Sequence, residues 1–463
     1  MQRANNNDNR GTINQDVDSS TLRKVIAASA IGNFVEWFDF AVYGFLAVII
    51  SQHFFPPGEP SLALLQTFAV FAVSFALRPL GGIFFGMLGD RIGRKRILAL
   101  TVLLMAGATT MIGLMPTFQT IGMMAPLGLA LARCIQGFSA GGEYAGACAF
   151  VMEHAPRERK ARYGSFIPVS TFLAFATAAA LAFLMGLILS DEAVQSWGWR
   201  LPFLTAAPLG LVGLYMRLRL DESPAFRALK QEQAIPHAPL KETVRDHSTT
   251  IICLSAFISA TALSFYMFTT YFTTYMQVVG GASRTTALLA SLGALLFAAA
   301  LCPFVGRYAD WVGRRSTIMT ACISLIVAVF PAYSLAGSGM LFASMLGAAL
   351  LAVGAVICGV VTAVLLSEQF PTKVRYTASA LCYNLSYTIF GGTAPLVATW
   401  LIKATGNNLS PAFYLIVISL IALVGGMRLP ESSKRALDAD ETWQPRNATI
   451  PVPLSSSNTA IKQ

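Results

Sequence analysis

Apolar runs of about 20 residues, the length a helix needs to cross a hydrocarbon layer, recur along this chain with few breaks. They lie near 25–51, 62–88, 97–114, 121–150, 164–190, 199–218, 250–279, 286–307, 316–337, 339–367, 377–403 and 409–428, and are numbered helices 1 to 12. None alternates apolar and polar positions with the period of two that a transmembrane β-barrel requires. The pattern predicts an all-α membrane protein with six helices (25–218) before a polar linker (219–249) and six (250–428) after it. Residues 1–24 and 429–463 read as polar tails. The second tail carries Pro445, Pro451, Pro453 and several serines and is expected to be disordered. The first 20 residues lack the apolar core of a cleaved leader.

Three repeats relate the two sets of six. Residues 86–95 read G-x-x-x-D-x-x-G-R-K and residues 306–315 read G-x-x-x-D-x-x-G-R-R, each where an apolar run ends. Glu153-x-x-Pro156, followed by Lys160, has its counterpart in Glu368-x-x-Pro371, followed by Arg375. Helix 6 runs out into Arg217-x-Arg219-x-Asp221-Glu222-Ser223, and helix 12 into Arg428-x-Pro430-Glu431-Ser432. Matching marks at matching places predict two pseudo-symmetric six-helix bundles, the plan of a secondary transporter.

Composition agrees: 55% of residues are hydrophobic and 12% charged, about half the charge of a soluble domain. The net charge of +10 does not indicate nucleic acid, because the basic residues sit in alternate loops. Arg91, Arg94, Lys95 and Arg96 form one cluster, and Arg157, Arg159, Lys160 and Arg162 another. Arg307, Arg314 and Arg315, then Lys373 and Arg375, form the later ones. That asymmetry predicts both termini in the cytoplasm. All seven cysteines fall inside apolar runs without C-x-x-C spacing, so neither a disulfide nor a metal is expected. No nucleotide loop, cofactor motif or nucleophile–base pair suggests an enzyme, and nothing calls for an obligate protein partner.

Ionisable residues inside a membrane are costly and mark function. Helix 1 carries Glu36 and Asp39, three apart and so on a similar face; helix 2 carries Arg78; helix 4 carries Arg133, Gln136 and Glu143. Helices 7–12 carry none at mid-depth. Arg133 can pair with Glu36 or Asp39, and parting such a pair switches a carboxylate's affinity for protons. Glu36, Asp39, Arg133 and Glu143 are therefore the candidate proton-coupling groups; Glu143 alternatively belongs to the gate. Arg78 is left to a supporting role beside the first motif. Arg133 also suits a substrate carboxylate, with Gln136 beside it. Trp37, Tyr43, Tyr266, Tyr383 and Asn384 are candidate substrate contacts, the rings as a cation–π wall. The repeated motif is read as a gate. Asp90 and Asp310 accept hydrogen bonds from arginines or a helix N-terminus, with Gly86, Arg91, Gly93, Arg94, Gly313 and Arg314 around them.

These residues resemble known signatures. The duplicated G-x-x-x-D-x-x-G-R-(R/K) and Arg133-x-x-Gln136-Gly137 are similar to motifs of the major facilitator superfamily, the second to its proton-coupled members. Four further stretches resemble the metabolite:proton symporter family over about residues 20–435. They are Gly32-Asn33-x-x-Glu36-Trp37-Phe38-Asp39-Phe40-x-x-Tyr43, Arg78-Pro79-x-Gly81-Gly82, Gln136-Gly137-x-x-x-Gly141-Gly142-Glu143-Tyr144 and Trp197-Gly198-Trp199-Arg200. The resemblance implies a multi-pass protein of the bacterial inner membrane that imports a small carboxylated solute with protons by alternating access.

Gly141-Gly142-Glu143-Tyr144-x-Gly146-Ala147 and Pro411-Ala412-x-Tyr414-Leu415 resemble the proline/glycine betaine type. Phe265-Tyr266-x-Phe268-Thr269-Thr270-Tyr271 and Phe390-Gly391-Gly392 equally resemble the 2-oxoglutarate type. Di- and tricarboxylates thus stay open as substrates, with the zwitterions favoured. Export on the same fold is the further alternative, disfavoured because helix 5 lacks the glycine–proline pattern of many antiporters. The tail also lacks the heptads of a coiled coil.

Overall fold

The computed structural model describes residues 19–58, 60–92, 94–141, 143–218, 239–371 and 374–433. It is helical throughout these segments, with no strand among them. Helix 1 is Ser19–Phe45, followed by the short Ala47–Phe54. Helix 2 is Pro60–Ala76 continued by Arg78–Ile92, and helix 3 is Arg94–Leu114. Helix 4 comprises Met124–Ala140 and Glu143–His154. Helix 5 comprises Lys160–Gly164 and Phe166–Ile188, and helix 6 Leu201–Leu204 and Ala206–Leu218. Helix 7 starts at Pro239, bends at His247 and runs to Val278. Helices 8, 9 and 10 are Arg284–Val312, Arg314–Ala336 and Leu341–Glu368. Helix 11 runs in pieces from Arg375 to Thr405, and helix 12 is Ser410–Arg428.

Among the described residues, nine helices are long and apolar enough to cross a membrane. The other three of the twelve, helices 3, 4 and 6, are short in their apolar part or interrupted. The apolar stretch of helix 3, for example, is Ala99–Leu114.

The interruptions have local causes. Pro79 lacks an N–H and clashes with the carbonyl of Phe75 four residues back, so helix 2 breaks at Leu77. The Phe75 carbonyl instead accepts from the Thr388 hydroxyl of helix 11 at 2.7 Å. Helices 2 and 4 touch backbone to backbone. A Cβ on Gly137 would meet the Ser74 carbonyl oxygen at 1.7 Å, and one on Gly81 the Phe138 oxygen at 1.7 Å. Only glycine permits that approach, which is the physical sense of Arg78-Pro79-x-Gly81-Gly82 lying opposite Gln136-Gly137.

Helices 7 and 11 each contain a π-helical turn, Met267–Tyr271 and Tyr387–Gly391. In helix 11 the Gly392 N–H donates to Tyr387 O, five residues back, at 2.8 Å. Such turns add a residue, rotate the remainder of the helix and recur at functional sites.

Candidate transport site

Four charged residues of helices 1, 2 and 4 come together inside the first bundle. Glu36, Asp39, Arg78 and Arg133 are all buried. The partners differ from the sequence expectation. Glu36 does not pair with Arg133. Its Oε1 accepts from Arg78 Nη2 at 2.6 Å, with both side chains shielded from solvent. Arg78, left to a supporting role in the sequence, is thus central. It enters there because the break at Leu77 and the glycine contacts press this part of helix 2 onto helix 4. Asp39, one turn further along helix 1, is the carboxylate that interacts electrostatically with Arg133.

Two of the expected substrate contacts surround Arg133 within the first six helices. The Arg133 guanidinium lies 4.2 Å from the Tyr43 ring centre and 5.0 Å from that of Phe40, and Tyr43 donates to Thr67 O at 2.9 Å. Gln136 accepts from Arg133 Nη1 at 2.8 Å and donates to Thr109 at 2.5 Å.

Trp37 faces the other way, across the interface between the bundles. Its indole N–H donates to Asn33 Oδ1 at 3.1 Å, and Asn33 Nδ2 reaches the hydroxyls of Ser170 and Thr171 on helix 5 at 2.9 and 2.8 Å. The ring is thereby fixed 5.0 Å from Phe265, 6.3 Å from Tyr266 and 6.1 Å from Tyr387, centre to centre. Phe265 and Tyr266 immediately precede one π-turn and Tyr387 opens the other, so rings beside both bulges meet at one tryptophan. Tyr383 stacks on Tyr144 at 4.5 Å, and the Asn384 amide donates to the Gly141 carbonyl. Both residues therefore join the bundles below the ring cluster. No periodicity in the sequence signals a π-turn; the stretches Phe265–Tyr271 and Phe390–Gly392 stand out in it only by resemblance.

At the end of the bundle rich in basic residues, the second repeated motif is bound to the first bundle. Asp310 accepts from the backbone N–H groups of Ala161 and Arg162, both at 2.9 Å, at the start of helix 5. It also accepts from Arg314 Nη1 at 3.1 Å. Gly306 allows the approach, since a Cβ there would meet Ala161 O at 2.7 Å. Gly313, at φ +91°, turns the chain between helices 8 and 9.

Arg314 also forms a two-bond pair with Glu368, Nε and Nη2 each at 3.0 Å. Glu431 accepts from the N–H groups of Arg314 and Arg315, both at 2.9 Å. Burial pushes the Glu431 carboxyl up, but the N–H groups of Arg315, Arg314 and Ser433 outweigh it and hold it below the ordinary 4.5. The second repeat pairs crosswise: Lys160 of the first half lies 3.8 Å from Glu368 of the second, and Arg375 of the second lies 3.7 Å from Glu153 of the first. Gly93 and the side chains of Asp90, Arg91, Arg94 and Glu143 lie outside the described residues, as does the side-chain environment of Gly86.

Two facing bundles, a closed charged end and a buried charge set define a membrane transporter. The family model of the Major Facilitator Superfamily matches residues 29–395, and the chain belongs to that superfamily. The glycine betaine/proline/ectoine/pipecolic acid transporter OusA of Dickeya dadantii is 37% identical over 91% of this chain and 86% of its own length. The proline/betaine transporter of Salmonella typhimurium is 38% identical over the same shares. The ectoine/proline transporter ProP of Corynebacterium glutamicum is 34% identical, again over 91% and 86%. Among solved structures, the proton:xylose symporter XylE bound to 6-bromo-6-deoxy-D-glucose superimposes with a TM-score of 0.72, over 91% of this chain and 98% of that one. At 16% identity it speaks to the fold alone.

Proposed function

We propose that the chain is a proton-coupled symporter of the bacterial inner membrane, with both termini cytoplasmic, importing small zwitterionic solutes of the proline and glycine betaine kind. The observation that carries this reading is the buried charge set of Glu36, Asp39, Arg78 and Arg133 beside the Trp37 ring cluster, in a chain whose relatives are named for such solutes. Di- and tricarboxylate uptake is less favoured, because the mid-depth charge set contains as many carboxylates as arginines.

In this reading Asp39 carries the coupled proton. Protonation removes its hold on Arg133 and makes the charge set more positive, which favours the entry of a substrate carboxylate. Proton and substrate therefore bind together more readily than either alone. Trp37 contacts the cationic end of the solute, Tyr266 is a further substrate contact beside it, and Glu143 is a second coupling group or part of the gate. The bundles are 25–218 and 250–428, joined by the linker 219–249. The Asp310–Arg314 network and its first-half counterpart around Asp90 hold the cytoplasmic side shut and release as the bundles rock.

The test is uptake by the purified chain in sealed proteoliposomes under an inward proton gradient. Labelled proline, glycine betaine, 2-oxoglutarate, citrate and shikimate are offered in turn. Accumulation of proline or betaine above equilibrium, abolished by a protonophore, supports the reading. Accumulation of only a di- or tricarboxylate, or gradient-driven export, overturns it.

A further inference from the structure

Arg78 has hydrogen-bonding capacity that Glu36 does not use. Its Nε and Nη1 are buried without a hydrogen-bond partner among the described residues, and so is the Tyr266 hydroxyl. A guanidinium carries five N–H donors, two of them on Nη2. Of these donors, Nη2 is the one that Glu36 Oε1 accepts from, at 2.6 Å. Whichever Nη2 hydrogen it takes, one complete two-donor edge is left, either Nε with Nη2 or Nη1 with Nη2. Such an edge matches a carboxylate with two parallel bonds. Leaving buried donors unsatisfied is costly in a folded chain.

The surroundings select a particular ligand. The Arg78 guanidinium lies 5.7 Å from the Trp37 ring centre and 5.2 Å from those of Phe40 and Phe75, and Trp37 and Phe75 in turn pack on Tyr266 at 6.3 and 5.3 Å. Arg78 therefore opens on the interface where Trp37 meets Phe265 and Tyr387. Arg133 is a layer back. It too has two donors, Nε and Nη2, without a hydrogen-bond partner among the described residues, but the rings its guanidinium lies over, Phe40, Tyr43 and Phe71, and its amide partner Gln136 all belong to the first four helices.

We infer that Arg78, oriented by Glu36, is the anchor for the substrate's carboxylate, with the Tyr266 hydroxyl as an added donor and the rings of Trp37, Phe265 and Tyr387 receiving its ammonium. Arg133 is left to the proton. The Glu36–Arg78 pair is neutral in itself, so the site accepts an overall neutral zwitterion. The carboxylate meets the guanidinium while the cation rests on ring faces, with the two ligand charges separated as in an α-amino acid or a betaine. This inference rests on the proposed transport of zwitterions and divides the two arginines between substrate and proton.

The experiment is equilibrium binding of labelled glycine betaine to the purified full-length chain in detergent, displaced by unlabelled glycine betaine or by choline, which keeps the ammonium and lacks the carboxylate. Wild type is expected to prefer glycine betaine. Arg78→Gln is expected to weaken glycine betaine by at least about 30-fold, as for removal of one member of a buried charge pair, while the choline constant stays within about threefold. Because glycine betaine then binds weakly, labelled choline serves as the probe for that variant.

Arg133→Gln is expected to keep the preference for glycine betaine and to lose its dependence on pH. Tyr266→Phe, which removes one hydroxyl and leaves the ring, is expected to lose about tenfold for glycine betaine and nothing for choline, the worth of one hydrogen bond to a charged group. An unchanged preference in Arg78→Gln overturns the inference. If that variant does not fold, an unchanged preference in Tyr266→Phe together with its loss in Arg133→Gln overturns it. Wild type that binds neither betaine nor proline refutes the proposed substrate class itself, a result read before any variant is made.

Discussion

Asp310→Ala tests the closed end most directly. The carboxylate makes three contacts: the Ala161 and Arg162 N–H groups, each at 2.9 Å, and Arg314 at 3.1 Å. Only the first two cross between bundles, so only they distinguish the closed state from an open one. A hydrogen bond to a charged group contributes about 1.5–3 kcal/mol net. The site lies at the bundle's end, with the Asp310 side chain 11% exposed, so water recovers part of this when the bundles separate. About 2–4 kcal/mol for the pair is the working figure, a shift of roughly 30- to 700-fold toward the open state.

The assay is hydrogen–deuterium exchange in lipid nanodiscs, following a peptide that spans residues 158–166. The N–H groups of Ala161 and Arg162 lie in the first turn of helix 5, where no intrahelical carbonyl can take them. Their protection therefore depends on Asp310. Exchange there should quicken by at least about tenfold, and the maximal uptake rate should fall more than the affinity. Unchanged exchange with only a weaker affinity would refute the reasoning, since a clasp between moving parts governs rate before it governs binding.

Three further outcomes are expected from the geometry. Asp39→Asn should abolish uphill uptake while sparing exchange of substrate across the membrane; full uphill uptake would remove Asp39 from the coupling. Glu431→Gln should lower the melting temperature of the solubilised chain at pH 7. A depressed native pKa makes the Glu431 contribution present at neutral pH and lost as pH falls through it. The gap between variant and wild type should therefore close below the ordinary 4.5, and a gap that persists there would contradict the assignment. Gly137→Ala would place a Cβ 1.7 Å from the Ser74 carbonyl oxygen, a backbone atom unable to give way. It should destabilise by about 3 kcal/mol or more, read as loss of a monodisperse peak in size-exclusion chromatography, and wild-type behaviour would contradict the helix 2–helix 4 packing.

Nine of the helices, among the described residues, are identified by apolar length alone, because hydrocarbon leaves the backbone few alternatives; helices 3, 4 and 6 are not, being short in their apolar part or interrupted. The contacts of the second repeated motif were legible because its glycine, aspartate and arginine each meet a definite partner: a close backbone approach, a helix N-terminus and a carboxylate. The crosswise pairing of Glu153 with Arg375 and of Lys160 with Glu368 was only half legible. The repeat marked all four residues, but the exchange of partners between halves depends on how the bundles face each other.

The pairing of Glu36 was not legible. Helix periodicity puts Glu36 and Asp39 on a similar face, yet which arginine each meets depends on the break at Pro79 and the glycine contacts. Both are tertiary, and together they bring Arg78 to Glu36. The ring cluster was hidden for the same kind of reason. The rings of Phe265, Tyr266 and Tyr387 come from two helices of the second bundle, and only the way the bundles face each other brings them to Trp37 of the first.

The bond from Thr388 to the Phe75 carbonyl has an implication for motion. A carbonyl released by proline is normally a permanent local defect. Here it is a socket on one rocking body, filled by a plug from the other. When the bodies part, neither helix loses a rung of its own ladder, because the proline had already surrendered that one. Water entering the widening cleft can occupy the socket at little penalty. The joint can be unplugged and refilled in each cycle without unwinding anything, which puts a reusable latch between two apolar helices long enough to span a membrane, where repeated breaking of helical hydrogen bonds would be prohibitive.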